Sequence, residues 1–243
     1  MGGHGRDIRQ AFARAQPSQE WCSQPLVVAL ADVGDWKPYL PDASMLLDAA
    51  ENLRMQRKRK QGDREVLAVA YALHRLLLGQ ALGMDPMAVP LWRDALGCPR
   101  VGDNLVHTSL SHADGRIALA VSRVGPVGVD IEPLVRARML LEMTGVICTR
   151  LERATVETLA VDRRERALLG LWVRKEALLK AAGTGLSVEM NSFDAPEGTV
   201  RPMPTLEGGA WLEMLEAGPD CLAALARPVD AIAAAAWLFP NPR

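Results

Sequence analysis

The chain has 243 residues, nearly half of them apolar, enough to bury a sizeable core as one large domain or as two halves. Its net charge is −1, so nothing points to a general nucleic-acid binder, and any phosphate recognition has to come from local basic clusters. The four cysteines, Cys22, Cys98, Cys148 and Cys221, form no Cys-x-x-Cys pair and no zinc-ligand spacing with a histidine, which reads as reduced thiols in a cytoplasm.

Residues 1–6 lack the apolar segment of a signal peptide, and residues 1–20 are expected to form a flexible leader. Residues 26–30 are a short apolar run between Pro25 and Asp32-Val33-Gly34-Asp35, a first strand and its turn. Helical spacing over 44–53 runs into the basic stretch 54–60, after which Gly62-Asp63 offers a turn and an N-cap. A helix then starts near Arg64, with Val66, Leu67, Val69, Ala70, Leu73, Leu76 and Leu77 on a broad stripe and Gly83 as its stop. His74, inside that stripe, reads as structural. The stretch from Arg54 to Lys60, which includes Arg57 and has Arg64 behind it, is the most positive place in the chain. It is either a solvated helix end or a phosphate clamp in which the helix dipole adds to the side-chain charge. No apolar run reaches membrane-spanning length, since 231–239 is short and ends at Pro240.

Residues 84–104 are rich in Pro, Gly and Asp and are expected to be mostly loop, with a helical turn near 91–96. Residues 105–110 read as a strand leading into a turn at Ser111-His112-Ala113-Asp114-Gly115, and 116–122 as its buried antiparallel partner. A second turn at Val124-Gly125-Pro126 leads into Gly128-Val129-Asp130-Ile131-Glu132-Pro133. On a strand, Asp130 and Glu132 project to one face while Val129 and Ile131 go to the core. Two like charges side by side repel, and a divalent cation removes the repulsion. Hard oxygen ligands in pairs suit Mg²⁺, which takes one or two carboxylates together with the phosphates of a substrate. The alternative is an antiparallel strand with its polar face in water.

After Pro133, the weak periodicity around Arg136, Arg138, Arg150 and Arg153 suggests short helices with mobile joints. Residues 164–182 are strongly helical and stop at Gly183; Glu165, Leu169, Trp172, Glu176 and Lys180 share one stripe. Taken alone, Glu176 and Lys180 are an ordinary surface pair and Trp172 is core. Strands follow at 209–215, 221–226 and 232–238. Each half of the chain has a long apolar helix ending in Gly and then strands, which suggests two related α+β halves meeting near 123–126.

Three motifs, Ser111-His112, Gly128-Val129-Asp130-Ile131-Glu132 and Trp172-x-x-Lys175-Glu176-Ala177-x-x-Lys180-x-x-Gly183-x-Gly185-Leu186, resemble in order and spacing those of the Sfp-type 4′-phosphopantetheinyl transferases over residues 64–186. The resemblance implies an α+β fold of two similar halves related by a pseudo-twofold, with the active site and coenzyme A in the cleft between them. Residues 1–124 would then supply coenzyme A contacts, and 125–243 the carboxylates and the catalytic helix. Asp130, Glu132 and Glu176 match the family's Mg²⁺ ligands, and Lys180 matches a lysine near the coenzyme's phosphates. Ser111 and His112 match a pair at the nucleotide end, and Arg57 and Arg64 fall where the family has further phosphate contacts. Two departures bear on nucleotide binding. Gly97-Cys98-Pro99 lacks the cation of the family's Gly-Lys-Pro or Gly-Arg-Pro, which is either missing or moved to Arg100. Thr108-Ser109 and Ala113 replace residues that usually flank Ser-His.

The implied activity is Mg²⁺-dependent transfer of the 4′-phosphopantetheine arm from coenzyme A to a serine of an apo acyl or peptidyl carrier protein, releasing 3′,5′-ADP. Such carriers serve fatty acid, polyketide or nonribosomal peptide biosynthesis. Glu176 would accept the serine proton and Lys180 would steady the developing charge. A monomer in the cytoplasm, with neither nucleic acid nor membrane as partner, is expected. Two alternatives stand beside this reading. One is a coenzyme A-binding regulatory protein with little turnover; the other is a metal-dependent phosphohydrolase with water as nucleophile.

Overall fold

A computed structural model describes residues 7–204 and 207–240. In chain order the elements are α1 (Ile8–Ala15), β1 (Leu26–Asp32), α2 (Val33–Trp36), α3 (Leu40–Met45), α4 (Ala49–Gln56) and α5 (Gln61–Leu82), then β2 (Leu91–Arg93), β3 (Pro99–Val101), β4 (His107–Ala113) and β5 (Arg116–Ser122). The second part runs β6 (Gly128–Pro133), α6 (Ala137–Leu140), α7 (Thr144–Ile147), α8 (Arg150–Thr158), α9 (Val161–Ala182), β7 (Thr199–Pro202), β8 (Gly209–Leu215), β9 (Cys221–Pro228) and β10 (Ala234–Trp237). The fold is α+β.

Two four-stranded sheets, ordered β10-β1-β5-β4 and β6-β9-β8-β7, carry the long helices on their outer faces. The alternation of each strand explains the layering. Val27, Ala29 and Ala31 of β1 join the core under α5, while Leu26, Val28 and Leu30 join a second cluster with Val129 and Ile131 of β6 and Ala223 and Leu225 of β9. Both faces of β1 are thus buried, which is why it reads as an unbroken apolar run. A third cluster lies between α9 and the outer face of the second sheet. α5 is long and apolar enough to cross a membrane, but 72% of its apolar window is buried inside the molecule.

The plan of the first half recurs in the second. β1, α4, α5, β4 and β5 correspond to β6, α8, α9, β8 and β9, and the strand orders β1-β5-β4 and β6-β9-β8 agree. The likeness extends to single side chains. α4 and α8 each start with a capping box, Asp48 with Glu51 and Thr149 with Glu152. In each half the capping-box glutamate also pairs with a buried cation of the 22-residue helix that follows. Arg75 Nε donates to Glu51 at 2.6 Å, and Lys175 Nζ donates to Glu152 at 2.5 Å and to the carbonyls of Ile147, Met190 and Phe193 at 2.8 Å. Both long helices then stop at a left-handed glycine, Gly83 and Gly183.

The structure departs from expectation in several places. Residues 8–15, within the stretch expected to be a flexible leader, form α1: the Asp7 side chain caps Arg9 and Gln10, and Ile8, Ala11 and Phe12 are buried, Phe12 lying 6.5 Å from Trp36 between ring centroids. Residues 1–6 of that leader lie outside the described residues. α5 starts at Gln61 with Lys60 as N-cap, so Gly62 and Asp63 sit in its first turn, where the carboxylate complements the dipole. Residues 91–101 are a hairpin, not a helical turn. Its loop is closed by the Asp94 carboxylate, which accepts from the amides of Leu96 and Cys98, and by Gly97 at φ +82°. β4 runs on to Ala113, so Ser111 and His112 are strand residues and only Asp114-Gly115, both at positive φ, make the turn. Finally, β10 leaves the second half and pairs in parallel with β1, Val27 against Ala234.

Candidate active site

The site is built where β6 meets α9. A Cβ on Gly128 would lie 1.9 Å from the carbonyl oxygen of Ala177 and 2.4 Å from the amide of Ala181, so only glycine lets the strand lie this close to the helix. That approach sets Asp130 and Glu132, on the α9 side of β6, against Glu176 and Lys180. Asp130 Oδ1 accepts from Ser111 Oγ and from Lys180 Nζ, each at 2.7 Å, while its Oδ2 is buried with no partner. Glu132 pairs with Arg136, whose guanidinium lies 5.0 Å from the Trp172 ring centroid, and Glu132 Oε2 is also buried with no partner. Burial pushes the Glu132 carboxyl up, with Arg136 opposing.

Glu176 stands on the cleft wall and makes no side-chain hydrogen bond or ion pair among the described residues. The surface pair with Lys180 does not form, because Lys180 reaches across to Asp130 and to the Val129 carbonyl instead. Burial, then the charge of Asp130, pushes Glu176 up to about 7, with Lys180 pulling the other way. Its carboxylate therefore exchanges protons near neutral pH.

Glu176, Lys180 and Ala181 form one wall of a cleft whose other walls are Arg93 to Arg100 of the hairpin, Thr108 to Leu110 of β4, and Pro126-Val127. β4 and β6 lie side by side here, the Val129 amide donating to Ser109 Oγ at 3.1 Å. Ser111 shares this face and is committed to Asp130. His112 takes the opposite face, with Thr108, towards α5. Burial holds its imidazole below the usual range, and the nearby charges of Lys180, Lys58 and Arg93 act in the same direction, so it is neutral at physiological pH. The remaining basic candidates are less involved. Arg64 folds back onto the carbonyls of Lys58 and Arg59 and closes the loop before α5, and Arg57 is exposed at the end of α4. Neither lines the cleft.

The donor set suits a hard divalent cation. It has two unpartnered, buried carboxylate oxygens and a third, uncommitted carboxylate that feels the charges of both Asp130 and Glu132. Among the described residues no three metal-ligating side chains are drawn into one cluster. The reason is visible: Lys180 and Arg136 hold Asp130 and Glu132 in separate ion pairs. Arg93 and Arg136 are side chains to which motif reading gave no role in the cleft, whereas Arg54 lies in the basic stretch already read as a possible phosphate clamp. Arg93 was hidden by the unrecognised hairpin, and Arg136 had only its i+4 spacing from Glu132 as a signal.

Two α+β halves meeting at a cleft lined by carboxylates and cations define the architecture, and the sequence is similar to those of known proteins. Residues 126–216, which span β6 to β8 and contain Asp130, Glu132 and Glu176, match the model of the 4′-phosphopantetheinyl transferase superfamily. The 4′-phosphopantetheinyl transferase HetI of Nostoc sp. is 26% identical over 193 residues, covering 77% of this chain and 81% of that protein. The 4′-phosphopantetheinyl transferase of Bacillus subtilis is 27% identical over 132 residues, 49% of this chain and 57% of its own length. A crystal structure of a holo-(acyl-carrier-protein) synthase from Bacillus anthracis, in complex with CoA (3′,5′-ADP), aligns over 42% of this chain and 92% of its own, with 24% identity and a TM-score of 0.33. The likeness to the 4′-phosphopantetheinyl transferase superfamily lies over residues 126–216, and the chain is similar in sequence to its members.

Proposed function

We propose that the protein transfers the 4′-phosphopantetheine arm of coenzyme A to a serine hydroxyl of an apo acyl or peptidyl carrier protein, releasing 3′,5′-ADP. The observation that carries this is the Asp130, Glu132 and Glu176 set: two buried carboxylates with unpartnered oxygens beside a third with a carboxyl raised to about 7. These three would hold Mg²⁺, which when bound supplies positive charge to offset that of the pyrophosphate. Lys180, bridging to Asp130, keeps a cation beside the carboxylates and orients a phosphate oxygen. Ser111 fixes the Asp130 carboxylate from the other side. Glu176, which makes no side-chain hydrogen bond or ion pair among the described residues, is placed on the cleft wall to take the proton of the attacking serine.

The same carboxylates would serve a phosphohydrolase using water, and a binding protein with little turnover would use the cleft alone. Following 3′,5′-ADP release from coenzyme A with and without an apo carrier separates them. A transferase releases it only when carrier is present. Release without carrier supports hydrolysis, and no release with any carrier supports the binding protein. The free thiols of Cys22, Cys98, Cys148 and Cys221 support a cytoplasmic setting, and we propose a monomer.

A further inference from the structure

β4 and β6 are edge strands of different sheets, the first paired with β5 and the second with β9. They face each other where the two halves meet, yet no ladder joins them. Among the described residues two hydrogen bonds run between these strands, and both use a serine hydroxyl of β4. Ser111 Oγ donates to Asp130 Oδ1 at 2.7 Å, and Ser109 Oγ accepts from the Val129 amide at 3.1 Å. The two serines are two residues apart and so share the face turned to β6. Val129 and Ile131 also join an apolar cluster with Ala118 and Ala120 of β5, which draws the halves together but is non-directional. The hydroxyls fix how one strand sits along the other.

The bond to Ser109 holds main chain, in a place where Val129 is 0% and Ser109 3% exposed, so an amide deprived of its acceptor there costs its full loss of hydration. From the other side Lys180 Nζ donates to the Val129 carbonyl at 3.2 Å and to Asp130 Oδ1 at 2.7 Å. The backbone leading into Asp130 is thus held at its amide by the first half and at its carbonyl by α9. Resting on the reading of Asp130, Glu132 and Glu176 as the Mg²⁺ site of a transferase, we propose that Ser109 is a positioning residue. By accepting from the Val129 amide, its hydroxyl sets β6 against β4 and so sets Asp130 relative to Glu176. Ser109 belongs to the Thr108-Ser109 pair by which this chain departs from the usual flank of Ser-His, so the clamp comes from this chain's own sequence.

Ser109→Thr and Ser109→Val are nearly the same size and both suit a strand, but threonine keeps the acceptor and valine loses it. Ser109→Ala removes the hydroxyl and asks for no extra room. For the wild type and the three variants, two quantities are measured: hydrogen exchange of the Val129 amide by NMR, which needs no activity, and the Mg²⁺ concentration at half-maximal transfer with coenzyme A and an apo carrier saturating. Ser109→Val and Ser109→Ala should speed Val129 exchange about tenfold and raise the half-maximal Mg²⁺ about tenfold, while Ser109→Thr stays within about twofold of wild type in both. Packing alone would not separate threonine from valine in this way. Faster exchange with an unmoved Mg²⁺ requirement would leave the bond structural and overturn the positioning role. Wild-type behaviour of Ser109→Ala, or equal losses in Ser109→Thr and Ser109→Val, would overturn it too, and in each of these cases the transferase reading stands. If the wild type transfers nothing to any carrier, that reading falls and the role of Ser109 falls with it.

Discussion

Glu176 and Lys180 are four residues apart on one helix, and by spacing alone they are a surface pair that contributes a few tenths of a kcal/mol. The structure separates them. Lys180 turns to Asp130, and Glu176 is left facing the cleft with its carboxyl at about 7. The two descriptions make different predictions for Glu176→Gln, which keeps shape and helix propensity. A surface partner would leave turnover untouched. As metal ligand and proton acceptor, its loss should cut turnover by about 10²–10⁴, with the melting temperature nearly unmoved, measured at saturating Mg²⁺ and both substrates. Restoration of the full rate by raising Mg²⁺ would remove the proton-acceptor role. The residues themselves were unevenly legible. Asp130 and Glu132 stand out because a strand's period of two puts both on one face. That Glu176 joins them depends on Gly128 admitting α9 to backbone contact, a tertiary event that no local pattern reports. Only the resemblance of motifs pointed to it.

Between α5 and β4, one contact links the long helix of the first half to the strand that lines the cleft. His74 Nε2 lies 2.7 Å from Thr108 Oγ1, and Thr108 Oγ1 donates its proton to the Ala120 carbonyl at 2.8 Å. The Thr hydroxyl therefore accepts from His74, which fixes the Nε2–H tautomer by inference and leaves Nδ1 buried without a partner. Burial, helped by the charges of Arg93 and Arg75, lowers the His74 pKa from 6.5 to about 3. A pKa depressed on folding means that the unfolded chain binds the proton first. The stability at stake is fully present above pH 6.5 and is lost as pH falls toward 3. Urea unfolding of the wild type and of His74→Leu at pH 7 and pH 5 checks this. The wild type should lose about 2 kcal/mol more than the variant over that interval, whereas parallel losses would show that His74 does not stay neutral. At this scale the long helices were legible from their stripes and terminal glycines. The hairpin β2–β3 was not, because three-residue strands give no periodicity to count and Asp94 shapes a turn that resembles a helical start. Ser111 and His112 were read as turn residues because polar side chains sit there; their polarity serves Asp130 and the basic loop, not a reversal of the chain.

Over the whole molecule, the repetition of capping box, buried cation and left-handed glycine makes two halves that each bury a helix on a sheet and meet along β4 and β6. The paired pattern of long helix and strands was visible in the chain. The return of β10 to the first sheet was not, since pairing across the full length of the chain leaves no local trace. Joining the halves puts the acidic strand of one beside the polar strand of the other, so the proposed site exists only in the assembled cleft and neither half contains it alone. The most direct test is intact-mass analysis of apo carrier proteins incubated with coenzyme A and Mg²⁺, using wild-type protein, Asp130→Asn and a chelator control. The account predicts that a carrier gains one phosphopantetheine on its serine with the wild type, and gains none with Asp130→Asn or with chelator present. Transfer that proceeds undiminished in Asp130→Asn, or no gain of mass on any carrier with the wild type, would contradict it.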